Sequence, residues 1–356
     1  MDEVFLNYYN EELQYLRELG AEFAAEYPKV AGRLGMQDQA VSDPYVERLL
    51  EGFAFLTARV RLKQDAQFPR FTKHLLDAVY PNFLGQMPSM AVVQLTPDPG
   101  ESALVEGYRV ARHSSLLSLL GKSEQTRCEF RTGHDVTLWP LSISQVRYHA
   151  SPAALSSIGM EAPEGVRAGL SLTLETIGGQ TIDELSLDNL CVYLKGSGTV
   201  PGLLYKQVIG DSLLLGARQT GDRNGDFRLL SEGGVSQIGF SDEECLLPES
   251  GRAFGGHRLL QEYFAFPERF MFFNLSGLQE ACTQCSSSSL EVVILLKQSE
   301  AGLIDVLSTD NFALYCTPII NLFERRSDRI QVSPKQVEHH VVPDRTRPMD
   351  FEVWGI

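Results

Sequence analysis

Asp43 and Pro44 stand directly before an apolar series, Val46, Leu49, Leu50, Phe53, Leu56 and Val60, that advances in steps of three and four residues. A carboxylate at the N-cap accepts from the first free backbone N–H groups, proline suits the first helical position, and the spacing lines one side of a helix. A helix therefore begins at residue 44, its other side carrying Glu47, Arg48, Glu51, Arg59 and Arg61. The same spacing runs through Phe5, Tyr9, Leu13, Leu16, Phe23 and Tyr27, with Gly20 in register, until Pro28 interrupts it. A third, shorter helix is expected from Pro69 through Leu75, Leu76 and Val79, stopped by Pro81. Helices this rich in aromatics must pack on each other, on the rest of the chain or on a partner. Periodicity alone leaves open which molecule covers the second face.

After Pro88 the texture changes to short apolar runs separated by Gly, Pro, Ser, Asn and Asp. Strands are expected over 91–95, 136–148, 170–177, 190–194, 203–209, 270–275 and 290–296, from their content of Val, Ile, Leu and aromatics. A stretch rich in Pro, Ala, Gly and Ser from Ser151 to Gly169, and a polar run from Gln219 to Gly234, mark long loops or boundaries. The fold class is thus α+β: a helical region over 1–88, a first β region over 89–165 and a second, mainly β region over 166–356. Phe351, Val353 and Trp354 read as the start of a strand, so the chain is expected to be a fragment of a longer protein.

Charge and composition then remove function classes. With 356 residues, 43% of them hydrophobic, the chain has material for about two to three cores. Thirty-one Lys and Arg against 46 Asp and Glu leave a net charge of −15, which repels phosphate backbones and anionic lipids. Neither nucleic acid nor membrane insertion is expected: the longest apolar run, Val292–Leu296, is five residues, where a bilayer needs roughly 20. An N-terminus without a basic segment and apolar core gives no signal peptide, and six cysteines without scaffold spacing read as free thiols, so a cytoplasmic location is expected.

No pattern for catalysis stands out. Cys282 and Cys285 form a C-x-x-C, but no second ligand pair accompanies them and no strand-to-helix redox context is evident. His339 and His340 are adjacent and cannot both face one metal, while His74, His113, His134, His149 and His257 have no motif partners. Gly251, Gly255 and Gly256 lack the Lys-Ser/Thr of a phosphate loop and read as a flexible loop. No catalytic residue, cofactor or metal is therefore expected. Assembly is the feature that stands out, because Phe5, Tyr8, Tyr9, Tyr15, Phe23 and Tyr27 lie on broad helical faces and aromatics dominate buried interfaces. Two other readings remain: a β-rich binding module for an effector or chaperone, which requires a deep apolar pocket, and a hydrolase using a carboxylate with His257, His339 or His340, which requires titratable groups converging in a cleft.

Several blocks occur in a linked order: Tyr8-Tyr9-Asn10-Glu11-Glu12-Leu13, Tyr15-Leu16-Arg17, Glu22-Phe23-Ala24, Tyr27-Pro28-Lys29, Asp43-Pro44-Tyr45-Val46-Glu47-Arg48-Leu49-Leu50, Phe53-Ala54-Phe55-Leu56, Phe68-Pro69, Tyr80-Pro81 and Pro88-Ser89. Later come Glu262-Tyr263-Phe264, Phe266-Pro267-Glu268-Arg269-Phe270, Asn311-Phe312 and Cys316-Thr317-Pro318-Ile319-Ile320-Asn321-Leu322-Phe323-Glu324. Together they resemble the TssF (ImpG/VasA) family of baseplate subunits of bacterial type VI secretion systems, whose members are longer than this chain. The region from about 151 to 250 matches only in texture.

The resemblance implies structural work, in a fold similar to the wedge proteins of contractile phage baseplates. It implies two copies embracing one TssG, contact with a second TssF, and union with TssE and TssK around the hub and spike proteins, where tube and sheath assemble. It further implies docking at the inner-membrane side of the apparatus through other subunits. The expected partner interface comprises Tyr8, Tyr9, Leu13, Leu16, Phe23, Tyr27, Val46, Glu47, Arg48, Leu49, Phe53 and Leu56, with Glu47, Arg48 and Glu51 setting register at its rim.

Overall fold

Asp43 caps its helix as its sequence position requires: its side chain accepts from the Tyr45 N–H at 2.9 Å and Pro44 occupies the first turn. In the computed structural model the described residues are 3–36, 41–80, 83–120, 127–160, 162–220, 227–230, 233–248, 253–332, 334, 338–347, 350–351 and 353–355. Pro81, part of the polar run at 219–234 and Gly251 lie outside them. The chain divides into two compact units, Met1–Gly85 and Gln86–Ile356.

The first unit holds α1 (Glu3–Glu26), α2 (Pro28–Arg33) and α3 (Pro44–Val79). Pro28 ends α1 but starts α2, because its fixed φ suits a first helical turn. At Pro69 the expectation of a separate third helix is corrected: α3 runs unbroken for 36 residues with Pro69 inside it. Proline removes one N–H and crowds the carbonyl four residues back, a cost of about 3 kcal/mol relative to alanine. Here the flanking stretches on both sides are helix formers, the Asp65 carbonyl that loses its donor is on an exposed segment, and Thr72 Oγ1 donates to the Pro69 carbonyl at 3.0 Å. Pro69→Ala should therefore slow amide exchange across residues 66–76; unchanged exchange would show that this turn does not limit the helix.

The second unit carries β1 (Met90–Gln94), β2 (Tyr108–Val110), β3 (Ser115–Leu117), β4 (Glu129–Thr132), β5 (Val136–Leu138), β6 (Leu141–His149), α4 (Pro152–Ser157), β7 (Ala168–Thr176), β8 (Leu190–Leu194), α5 (Val200–Tyr205), β9 (Ser212–Gln219), β10 (Arg228–Leu229), β11 (Gly234–Ile238), α6 (Gly255–Ala265), β12 (Phe272–Ser276), α7 (Gln279–Thr283), β13 (Ser289–Leu296), β14 (Phe312–Leu314) and β15 (Cys316–Ile320). Among the described residues the strands form sheets ordered β10-β9-β13-β7-β6, β11-β12-β8-β14, β1-β15-β4-β3 and β2-β5, all antiparallel. Strands from both sides of position 165 share the five-stranded sheet, β6 pairing with β7.

Alternation along the central strands builds the core. Leu170, Leu172 and Leu174 of β7 and Leu290, Val292 and Ile294 of β13 join one apolar cluster with Val192, Leu194, Phe273 and Leu275 of the four-stranded sheet. On the opposite side, Val293 and Leu295 meet Leu155, Met160 and Val166. A Cβ at Gly169 would come within 2.8 Å of a Leu155 methyl, so glycine there lets that side chain seat closely on the sheet. The Ser151–Gly169 stretch is thus a packed cover, with Ser151 capping α4, rather than a plain linker.

Four further sequence expectations are corrected. Residues 203–209 are helical, because Pro201 opens a turn and Leu204 and Val208, four apart, share the buried side with Gln207. The expected 136–148 strand is two, β5 and β6, separated at Trp139 and Pro140. Gly255 and Gly256 begin α6 rather than forming a flexible loop, and Phe351 and residues 353–355 are irregular, with Trp354 Nε1 donating to the Gln86 carbonyl at 3.2 Å.

Candidate functional site

Within the first unit, α1 and α3 meet along Ala54 and Ala58, both fully buried and one turn apart, which lets the helices approach closely. Polar contacts run beside this seam: Tyr8 Oη donates to Asp65 at 2.8 Å, Arg61 bridges Glu11 and Glu12, and Arg17 pairs with Glu47. Hydrogen bonding to the Asp65 carboxylate raises the Tyr8 phenol pKa. Phe5 packs edge-on against Phe55, their centroids 5.2 Å apart, and both line an apolar groove of about 540 Å³ with Arg59, Leu62, Lys63 and Ala66.

The opposite side of α3 is bare. Tyr45, Leu49, Phe53, Leu56 and Val60 are exposed, Leu49 at 73% and Phe53 at 59%. At about 100° per residue they occupy a sector centred roughly 160° from the Ala54–Ala58 pair. Beyond Val60 a second exposed series, Phe68, Phe71, Leu75 and Val79, is centred about 85° around the helix from this sector. The helix is therefore apolar on two sides, of which α1 covers one.

This geometry sorts the expected interface residues into two groups. Tyr8, Tyr9, Leu13, Leu16, Val46 and Glu47 are half-buried, with Tyr8 and Glu47 engaged in the α1–α3 contacts. Leu49, Phe53 and Leu56 lie on the open face, Phe23 and Tyr27 are exposed and stack on each other 5.3 Å apart, and exposed Arg48 pairs with Glu51. The series Val46–Val60, read as one stripe, is thus two: Val46 and Leu50 turn toward the seam, Leu49, Phe53, Leu56 and Val60 away from it. Tyr45 is an additional member of the open face, while Phe68, Phe71, Leu75 and Val79 form a separate exposed series beyond it. The signal for Tyr45 was the four-residue step to Leu49, and that for the later series the three- and four-residue spacing that resumes at Phe68 and runs through Pro69.

Elsewhere the chemistry is committed to structure. A cleft of about 460 Å³ in the second unit is lined by Arg112, His134, Asp135, Cys191, Glu243 and Glu244 among others. Asp135 is held by Arg109 and by the Arg112 N–H, which lowers its pKa, while Glu244 accepts from the Gly239 and Ser241 N–H groups. His134 lies edge-on to Phe272 with Nε2 3.4 Å from the Cys316 carbonyl, and burial raises the Cys191 thiol to about 12. The lining mixes polar and apolar surface in nearly equal measure, where a binding module for an effector or chaperone requires a deep apolar pocket. His257 is on α6, His339 and His340 lie in irregular chain, and none lines the cleft. A second polar group, His149 Nε2 at 2.9 Å from Ser171 Oγ beside the Arg218–Glu291 pair, is sealed inside the five-stranded sheet, out of reach of a substrate. Among the described residues no cluster could hold a metal. Cys282 and Cys285 are buried free thiols, Cys282 raised by burial to about 12, the reverse of a reactive site. No described helix is long and apolar enough to cross a membrane.

Burial lowers the pKa of both His134 and His149. Below the unfolded value of about 6.5 the unfolded chain binds protons that the native chain refuses, so stability should fall as pH drops from 7.5 to 5.5. Urea unfolding at these two pH values checks it, and His149→Gln should flatten the difference; an unaltered pH slope would refute the assignment.

The family model described as "Type VI secretion system, TssF" matches residues 1–356. The chain is 48% identical over 356 residues to "Type VI secretion system component TssF1" of Pseudomonas aeruginosa PAO1, covering all of this chain and 57% of that protein. A solved structure of the type VI secretion system TssK-TssF-TssG baseplate subcomplex, revealed by cryo-electron microscopy, contains a similar chain, with a TM-score of 0.59 and 30% identity over 80% of this chain and 50% of that one. The chain thus spans about half the length of these relatives. Its helical segment followed by a multi-sheet β body agrees with that architecture, and the match over every residue makes it a member of the TssF family of type VI secretion baseplate proteins.

Proposed function

We propose that this chain is a non-enzymatic structural component of the type VI baseplate wedge, pairing as two copies with one TssG and joining TssK and TssE around the spike hub. The observation that carries the reading is the open apolar side of α3, from Tyr45 to Val60, opposite a seam already filled by α1. A face of that length in water is a demand for partner helices. Helices of TssG fill it in this reading, and Glu47, Arg48 and Glu51 form its polar rim. A neighbour solved as a TssK-TssF-TssG subcomplex supports the choice of partners. Co-expression of the chain with TssG, then size-exclusion chromatography with light scattering, should give two copies per TssG. A monomeric chain eluting apart from TssG would overturn the reading for this portion of the protein.

A further inference from the structure

Charge on the helical unit is segregated by helix. α1 carries six glutamates and one arginine, whereas α3 from Arg59 to Lys73 carries five cations and one carboxylate, in a chain of net charge −15. The seam uses part of this: Arg61 takes Glu11 and Glu12, Arg17 takes Glu47, and Asp65 accepts from Tyr8. Arg59, Lys63, Arg70 and Lys73 are exposed, and among the described residues no carboxylate pairs with them. They fall within a sector of α3 about 80° wide, whose own carboxylate, Asp77, lies one turn past Lys73. Arg59 and Lys63 line the groove formed with Phe5, Phe55, Leu62 and Ala66, so cations and an apolar trough share that side of the helix.

α1 presents the converse. Glu11, Glu18, Glu22 and Glu26 fall within a sector of about 80°, with Tyr15 inside it and Leu19 at its edge, all of them exposed. That sector of α1 holds no cation; Glu18 accepts from Gln14 Nε2, and among the described residues no cation pairs with Glu18, Glu22 or Glu26. One hairpin cannot bring the two sets together. Arg17 meets Glu47 while Tyr8 meets Asp65, 18 residues and about 27 Å further along α3, so the free glutamates lie at one end of the hairpin and the free cations at the other. We infer that the α3 groove receives the outer face of α1 from a second copy of this chain, Tyr15 and Leu19 entering beside Leu62 and Ala66. Glu18 and Glu22, one turn apart, then meet Arg59 and Lys63, also one turn apart. Apolar contact supplies the affinity, and the charges select an acidic helix, which the chain itself presents. The contact goes beyond the capture of TssG proposed above, which uses the Tyr45–Val60 side of α3.

The test mixes chain carrying a photo-crosslinking phenylalanine analogue at position 66 with isotope-labelled chain, with TssG and, separately, without it. Mass spectrometry then identifies the joined peptides, the label marking those that come from the other copy. The expected product joins position 66 to a labelled peptide spanning Tyr15–Glu26. Arg59→Glu with Lys63→Glu in the analogue-bearing chain should cut its yield roughly ten-fold or more, and Glu18→Lys with Glu22→Lys in the labelled chain should restore it. All four positions are exposed, so circular dichroism should be unchanged in each variant. A cross-link confined to one copy, a cross-link to TssG, or reversed charges that do not rescue the yield would each overturn the proposal. Capture of TssG without a cross-link between copies overturns this contact alone; a cross-link between copies with TssG left uncaptured overturns the wedge reading alone.

Discussion

Phe53→Asp leaves the helical unit folded and abolishes capture of TssG. Phe53 is 59% exposed on the side of α3 that faces away from the Ala54–Ala58 seam, so a carboxylate there stays solvated in the free chain and costs little stability. In the proposed complex the same carboxylate would be buried without a partner in the middle of an apolar face. The expected loss is about 3 kcal/mol or more, a hundred-fold or greater weakening. Co-purification and circular dichroism on the same preparation check it: a folded variant that still binds TssG at wild-type yield would remove Phe53 from the interface. Leu16→Asp is the weaker experiment, because Leu16 is half-buried in the free chain and its loss would mix unfolding with lost binding.

Glu262→Leu should destabilise the second unit by about 3–5 kcal/mol, the usual cost of leaving a buried charge without its partner. Glu262 is fully buried, receives the Leu247 N–H and faces Arg269, whose guanidinium burial pulls down to about 10, still charged near neutrality. Arg269 also donates to the Gly239 and Glu244 carbonyls, so removing its counter-charge loosens the loop between β11 and α6. The double variant Glu262→Leu, Arg269→Met should recover part of the loss, because it removes both charges together, while Arg258 keeps Asp242. Urea unfolding of the single and double variants decides it; a double variant no better than the sum of the singles would show that the pair is not coupled.

Much of this was legible in the residues. Asp43-Pro44 marked the start of α3 to the residue, and runs such as 190–194 and 290–296 became strands because their spacing and their burial agree. The linked blocks identified the family before any geometry was known. What the residues could not convey follows from tertiary context. Pro69 reads as a helix start because local rules place proline in first turns, yet the helices on either side of it were strong enough to run through. Leu203–Ile209 is apolar enough for a strand, and only the four-residue interval between Leu204 and Val208, once buried, distinguishes a helix. The block from Glu262 to Phe270 was recognisable as a pattern, but that Glu262 and Arg269 face inward while Tyr263 and Phe264 face outward depends on a loop from elsewhere in the chain supplying the partners.

The pairing of β1 with β15 sets an order of events during synthesis. Residues 90–94 wait for residues 316–320 before their sheet can form, whereas the α1–α3 hairpin is complete by residue 80. At ribosomal speeds of roughly 5–20 residues per second, that interval is on the order of ten to fifty seconds. Throughout it the hairpin stands finished with one apolar side uncovered, ahead of the body to which it is attached. In the proposed complex a subunit made beside its partner would have that side occupied early; one made alone would carry it as an aggregation hazard from the first minute of its existence.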